Sequence, residues 1–116
     1  MMTLGESGEN LAVLYLKRKN FRIVERNFRT KIGEIDIIAI KDNTLVFCEV
    51  KTRLNKSYGY PFESITPRKQ EKIRNVAQIF LAIRGSSYKF DSVRFDVISV
   101  LSDSPSVKID HIENAF

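Results

Sequence analysis

The chain is poor in the residues that cross-link a fold or bind a soft metal. Of its 116 residues one is cysteine, Cys48, and one is histidine, His111. A lone thiol cannot close an internal disulfide, and so little thiolate and imidazole argues against a zinc centre. No apolar run approaches the roughly 20 residues that span a bilayer. The opening Met-Met-Thr-Leu-Gly-Glu-Ser-Gly-Glu lacks the basic and apolar regions of a secretory signal. These absences lead to the expectation of a cytoplasmic protein with no membrane association. There is no internal repeat, no low-complexity tract, no charged tail and no glycine-rich phosphate loop. What is present is a hydrophobic content of 43%, enough for one core, and a length that fits one domain over residues 1–116. A net charge of +5 and a pI near 9.5 suit a polyanionic partner.

Periodicity sets the elements. Leu11, Ala12, Tyr15 and Leu16 recur at helical spacing, predicting a helix over about 6–19 closed by Lys17, Arg18 and Lys19. Glu9 lies three residues before Ala12 and seven before Leu16, so it extends the buried stripe. Residues 21–30 alternate weakly and read as a strand near a sheet edge. Two strands follow, about 34–40 and 45–53, apolar on both faces and so central to a covered sheet. Residues 54–65 read as a loop. Thr66 and Pro67 open a second helix, which runs to about Arg84 and which Gly85 is expected to stop. Residues 93–101 form the last clear strand, and 107–112 a further short one. The order α-β-β-β-α-β, with that optional strand, predicts an α/β fold in which helices flank a small mixed sheet.

Chemistry concentrates on the hairpin. With Asp42-Asn43 as a two-residue turn, Lys41 faces Thr44, Ile40 faces Leu45 and Ile38 faces Phe47. The same count sets Asp36 against Glu49 and Glu34 against Lys51. Strand alternation then gives Glu34, Asp36, Ile38 and Ile40 one face, shared with Leu45, Phe47, Glu49 and Lys51. Directly opposed like charges destabilise a sheet, so Asp36 and Glu49 call for a cation between them, most simply Mg²⁺ or Mn²⁺ held by oxygens. Such an ion would stabilise charge building on a phosphate, with Lys51 beside it to hold a water or offset that charge. Glu9 could reach in from the helix.

The ordered set of Gly5-Glu6-Ser7-Gly8-Glu9 with Ala12, Arg26-Asn27, Gly33-Glu34-Ile35-Asp36, Phe47-Cys48-Glu49-Val50-Lys51-Thr52-Arg53, Gly59, Lys69, Arg94-Phe95-Asp96 and His111-Ile112-Glu113-Asn114-Ala115-Phe116 resembles the PD-(D/E)xK, or restriction-endonuclease-like, superfamily. It is most similar to that superfamily's bacterial YraN branch, whose layout is like that of archaeal Holliday junction resolvases. Ile35 stands where the superfamily usually has proline. The resemblance implies a nuclease-like core with Glu9, Asp36, Glu49 and Lys51 at the catalytic positions, the three carboxylates as metal ligands, and DNA, branched or otherwise structured, as substrate. Arg53, Lys56, Tyr58 and Lys69 are then expected to touch nucleic acid, and action on a junction would suggest a homodimer.

Other readings stand beside these. A nuclease-like module could bind nucleic acid without turnover, or the centre could serve phosphoryl transfer on a small molecule. Glu9 could simply complement the helix dipole, and Glu34 pair with Lys51 to orient it. Lys69 could snorkel at the end of a core stripe. Arg22, Arg26 and Arg29 could be a nucleic-acid track or a solvated face. Tyr58 and Tyr60 could stack on bases or brace their loop. Arg94 and Asp96 are expected to pair structurally, Cys48 to be a small buried hydrophobe, and His111 to be structural.

Overall fold

The structure, a computed structural model, describes residues 4–53, 65–103 and 106–116. Its elements are α1 (Leu4–Arg18), β1 (Arg22–Thr30), β2 (Gly33–Lys41), β3 (Thr44–Arg53), α2 (Pro67–Arg84), β4 (Ser92–Asp103) and β5 (Ser106–Ile112). The five strands form one sheet in the order β1-β2-β3-β4-β5. Neighbours are antiparallel except β3 and β4, which run parallel with α2 between them in the chain. The fold is therefore α/β with a mixed sheet, and β5 makes the optional last strand real.

Local chemistry explains the boundaries. Asn20 takes a left-handed backbone (φ 69°) after α1. There Asn20 N–H donates to Lys17 O and Phe21 N–H to Leu16 O, a Schellman-type closure. Asp42 and Asn43 both have positive φ, the conformation a tight two-residue hairpin demands. The Thr66 side chain accepts from Lys69 N–H and Pro67 opens α2. Gly85 caps α2 after Arg84, as expected, but not in the left-handed conformation. Its backbone is right-handed, and the helix ends by tightening into a 3₁₀ turn over Gly85–Ser87 rather than at a left-handed glycine.

Each helix covers one face of the sheet. Ala12, Val13 and Leu16 of α1 pack on Ile37, Ala39, Val46, Cys48, Ile98 and Val100. Ile73, Val76, Ala77 and Phe80 of α2 pack on Ile38, Leu45 and Phe47 from the opposite side. Among the described residues no helix is long and apolar enough to cross a membrane.

Two irregularities interrupt the sheet. The β2–β3 ladder runs only from Lys41/Thr44 to Ile37/Cys48, although both strands continue. Beyond it β2 stays paired with β1 and β3 with β4, so the sheet forks. The side-chain alternation also breaks at the fork. Ile35 joins Phe28 and Ile38 on the α2 side, while Ile37 lies on the α1 side. On β1 the neighbouring Asn27 has φ 52°. The expectation that residues 34, 36, 38 and 40 share one face is thus corrected for the part beyond Ile37, because a left-handed residue and an open ladder interrupt the two-residue repeat.

Candidate active site

The fork is where the polar residues gather. Asp36 sits where the ladder opens, and its Oδ2 accepts from Val50 N–H at 2.8 Å. A side-chain carboxylate so tethers the two strands just past their last backbone pair. Glu49, one residue past that pair on β3, turns toward α2. Its Oε1 lies 3.1 Å from Lys69 Nζ and 3.5 Å from Lys51 Nζ. Both Glu49 and Lys51 keep only 12–14% of their side-chain surface exposed.

Glu9 comes from the other face. The first turns of α1 lie close enough to β3 that a Cβ added at Gly8 would stand 2.1 Å from Thr52 Oγ1. Only glycine permits this approach, which sets Glu9 beside the fork. Glu9 Oε1 accepts from Asn27 Nδ2 at 2.9 Å and meets Arg26 Nη2 at 3.3 Å, while Arg26 also donates to Asn10 Oδ1 at 2.6 Å. A cleft of about 350 Å³ holds Glu9, Asn27, Glu34, Asp36 and Lys51 on its walls. A second, of about 240 Å³, is lined by Glu34, Asp36, Glu49, Lys69 and Lys72. Asp36 and Glu34 belong to both.

Burial pushes the Asp36 carboxyl up to about 7, and the negative charges of Glu49, Glu9 and Glu34 add to that against the pull of the Val50 N–H. Burial lowers the Lys51 ammonium, and Lys69 beside it lowers it further against the attraction of Glu49. Lys69 moves the other way: burial opposes its charge, but the contact with Lys51 and the charge of Glu49 raise it. Of the two lysines, Lys51 is the one more ready to give up a proton.

The four expected catalytic residues thus meet in one region, yet not as the hairpin register predicted. Among the described residues no three carboxylate, imidazole or thiolate groups converge closely enough to hold an ion as they stand. Glu34 does not pair with Lys51; its Oε2 accepts from Arg29 Nε at 3.0 Å across β1, because the fork has taken β3 away. Lys69 is held by Glu49, while Arg53 lines the cleft and donates to Thr52 O. Lys56, Tyr58, Gly59 and Tyr60 lie outside the described residues. Arg22, Arg26 and Arg29 engage the Tyr88 ring, Glu9 and Glu34 respectively. Asn27, quoted only within the resemblance, and Lys72 were not among the expected site residues. An asparagine within a strand was a usable sign of a left-handed position; Lys72 offered none.

A second polar cluster lies on the α1 side. Asp96, wholly buried, accepts from Arg94 Nε at 3.0 Å, Asn114 N–H at 3.0 Å and His111 Nε2 at 2.6 Å. Burial would raise its carboxyl, but these hydrogen bonds hold it below the usual range. With Asp96 ionised, Nε2 carries the imidazole proton and Nδ1 accepts from the Tyr15 hydroxyl at 3.0 Å. The expected Arg94–Asp96 pair is there, and His111, for which the sequence offered no partner, ties β5 to α1. Cys48 is buried as expected.

Residues 8–100 match the family described as Uncharacterised protein family UPF0102. The chain belongs to the UPF0102 family. A UPF0102 protein of Alkaliphilus oremlandii is 48% identical over 113 residues, covering 97% of each chain. Those of Syntrophomonas wolfei and Geotalea daltonii are 43% and 50% identical, covering 97% and 98% of this chain and 96% and 89% of their own. The family match runs from within α1 through most of β4, and so includes Glu9, Asp36, Glu49 and Lys51.

Proposed function

We propose that this UPF0102 protein is a metal-dependent endonuclease with a restriction-endonuclease-like core, hydrolysing phosphodiester bonds in DNA. The observation that carries the reading is the forked sheet, which gathers Asp36, Glu49, Glu9 and two lysines into adjoining clefts. The donor set suits a hard cation. Asp36 is a half-buried carboxylate crowded by three others, and Mg²⁺ or Mn²⁺ retaining most of its water needs only one or two protein carboxylates. Asp36 and Glu49 would hold it, with Glu9 on the α1 wall. Such an ion neutralises charge that builds on a phosphate. Lys51, with its lowered proton affinity, would hold the attacking water or exchange a proton with it. Lys69 would keep Glu49 oriented.

The test is a Mg²⁺- or Mn²⁺-dependent cleavage panel of linear duplex, flap, single strand, four-way junction and RNA. Asp36→Ala, Glu49→Ala and Lys51→Ala are each expected to lower cleavage on the order of 100-fold or more. No cleavage of any nucleic acid by the wild-type protein in either metal would end this reading. One observation favours a second: Glu9 and Glu49 already have cationic partners, as in a module that binds nucleic acid without turnover. That module would show salt-sensitive binding unaffected or improved by Asp36→Ala, and no cleavage.

A further inference from the structure

The turn between β1 and β2 is unlike the polar Asp42-Asn43 turn beyond it. Its tip is Lys31 and Ile32, and Ile32 is 45% exposed. The Thr30 hydroxyl donates to Gly33 O at 2.9 Å and accepts from Ile32 N–H at 3.2 Å, so the tip is braced. Gly33 has φ +156°, and a Cβ there would meet the Lys72 stem at 3.0 Å. Lys72 thus crosses the base of the turn. Lys31 and Lys72 have no acidic partner among the described residues. A cleft of about 330 Å³ between Arg29, Lys31, Ile32 and Lys72 reaches Gly33 and Glu34, which also line the cleft of Asp36 and Glu49.

A braced, exposed, β-branched apolar tip gains little for folding. Flanked by unpaired cations beside a route into a carboxylate centre, it has the make-up of a side chain that enters a base step while lysines hold the phosphates. We propose that the Lys31-Ile32 turn is a strand-separating wedge, which directs the Asp36/Glu49 centre to places where paired DNA opens. The inference rests on the nuclease reading for its catalytic consequence, and its binding part stands apart from cleavage. Four residue steps lead from Ile32 to Asp36, about 13 Å at the strand rise. At about 3.4 Å per base step, cleavage is expected on the order of four nucleotides from the junction.

The probe is a forked duplex with 2-aminopurine at the first paired position, bound in the presence of a chelator so that nothing is cut. Wild-type protein is expected to raise its fluorescence at least twofold, and to leave an internal position of a uniform duplex unchanged. Ile32→Ser, checked for an unchanged melting temperature, is expected to bind the fork by anisotropy and give no rise. Lys31→Ala with Lys72→Ala is expected to weaken fork binding about tenfold. A rise that survives Ile32→Ser, or a bound wild-type complex with no rise, overturns the wedge, as does failure to bind DNA. A wedge signal without cleavage in Mg²⁺ or Mn²⁺ supports the wedge and refutes the nuclease. Cleavage with no fork preference and no rise refutes the wedge alone.

Discussion

Asp36 is the residue on which the centre's electrostatics turn. Its carboxyl, pushed up to about 7 by burial and by neighbouring carboxylates, binds a proton more tightly in the folded chain than in the unfolded one. The folded state therefore holds more protons between the ordinary carboxylate range and pH 7, and stability falls as pH rises through that window. The shift bounds the loss at about 4 kcal/mol. Asp36→Asn keeps an acceptor for Val50 N–H and removes the charge. It is expected to gain on the order of 1–2 kcal/mol at pH 8 and almost nothing at pH 4, read from urea melts at both values. Mg²⁺ should raise the wild-type melting temperature at pH 8 and leave that of Asp36→Asn where it was. On the α1 side, Asp96→Asn leaves Arg94 without its buried counter-charge and His111 Nε2 without an anionic acceptor. A loss of about 3–5 kcal/mol is expected in the same melts, whatever happens to activity. The sequence made Asp36, Glu49, Lys51 and Glu9 visible as residues, and their types named the chemistry. It could not show that Glu34 turns to Arg29, because that depends on where the ladder ends.

At the scale of elements, the close seat of α1 on β3 decides where Glu9 stands. Gly8→Ala drives a methyl into Thr52, and despite the better helix propensity of alanine it is expected to cost about 1–3 kcal/mol. Thr52→Ala in the same chain should restore most of that loss, a coupling that a double-mutant cycle measures. Caps and turns were plain in the sequence at Thr66-Pro67 and at Asp42-Asn43, where residue chemistry alone fixes the backbone. The Asn20 closure and the fork were not. The first needed the hydrogen bonds, and the second needed the registers, in which β2 stays with β1 and β3 with β4 past the end of their shared ladder. Strand alternation is a reliable guide only while a ladder enforces it, and here it lapses at Asn27 and Asp36, in the region of the centre.

At the scale of the whole molecule, element order and apolar two-faced strands were enough to foresee a mixed sheet between helices. Contacts between distant residues were out of reach: nothing in the chain's local pattern couples Tyr15 to His111 across 96 positions. The net charge of +5 bears on the molecule as a whole. Binding to DNA without cleavage, measured in a chelator, is expected to weaken steeply with salt. Replacing Lys31 and Lys72 together should reduce the slope of log affinity against log salt by about two.

The parallel pairing of β3 with β4 joins a meander of α1, β1, β2 and β3 to a second unit of α2, β4 and β5, along a seam the full length of β3. Glu9, Asp36, Glu49 and Lys51 all belong to the first unit; Lys69, Lys72 and Asp96 belong to the second. Two separate polypeptides divided between β3 and α2 should therefore reassociate when mixed. Each alone would leave apolar strand faces uncovered, and only the reconstituted pair would bring Lys69 back to Glu49.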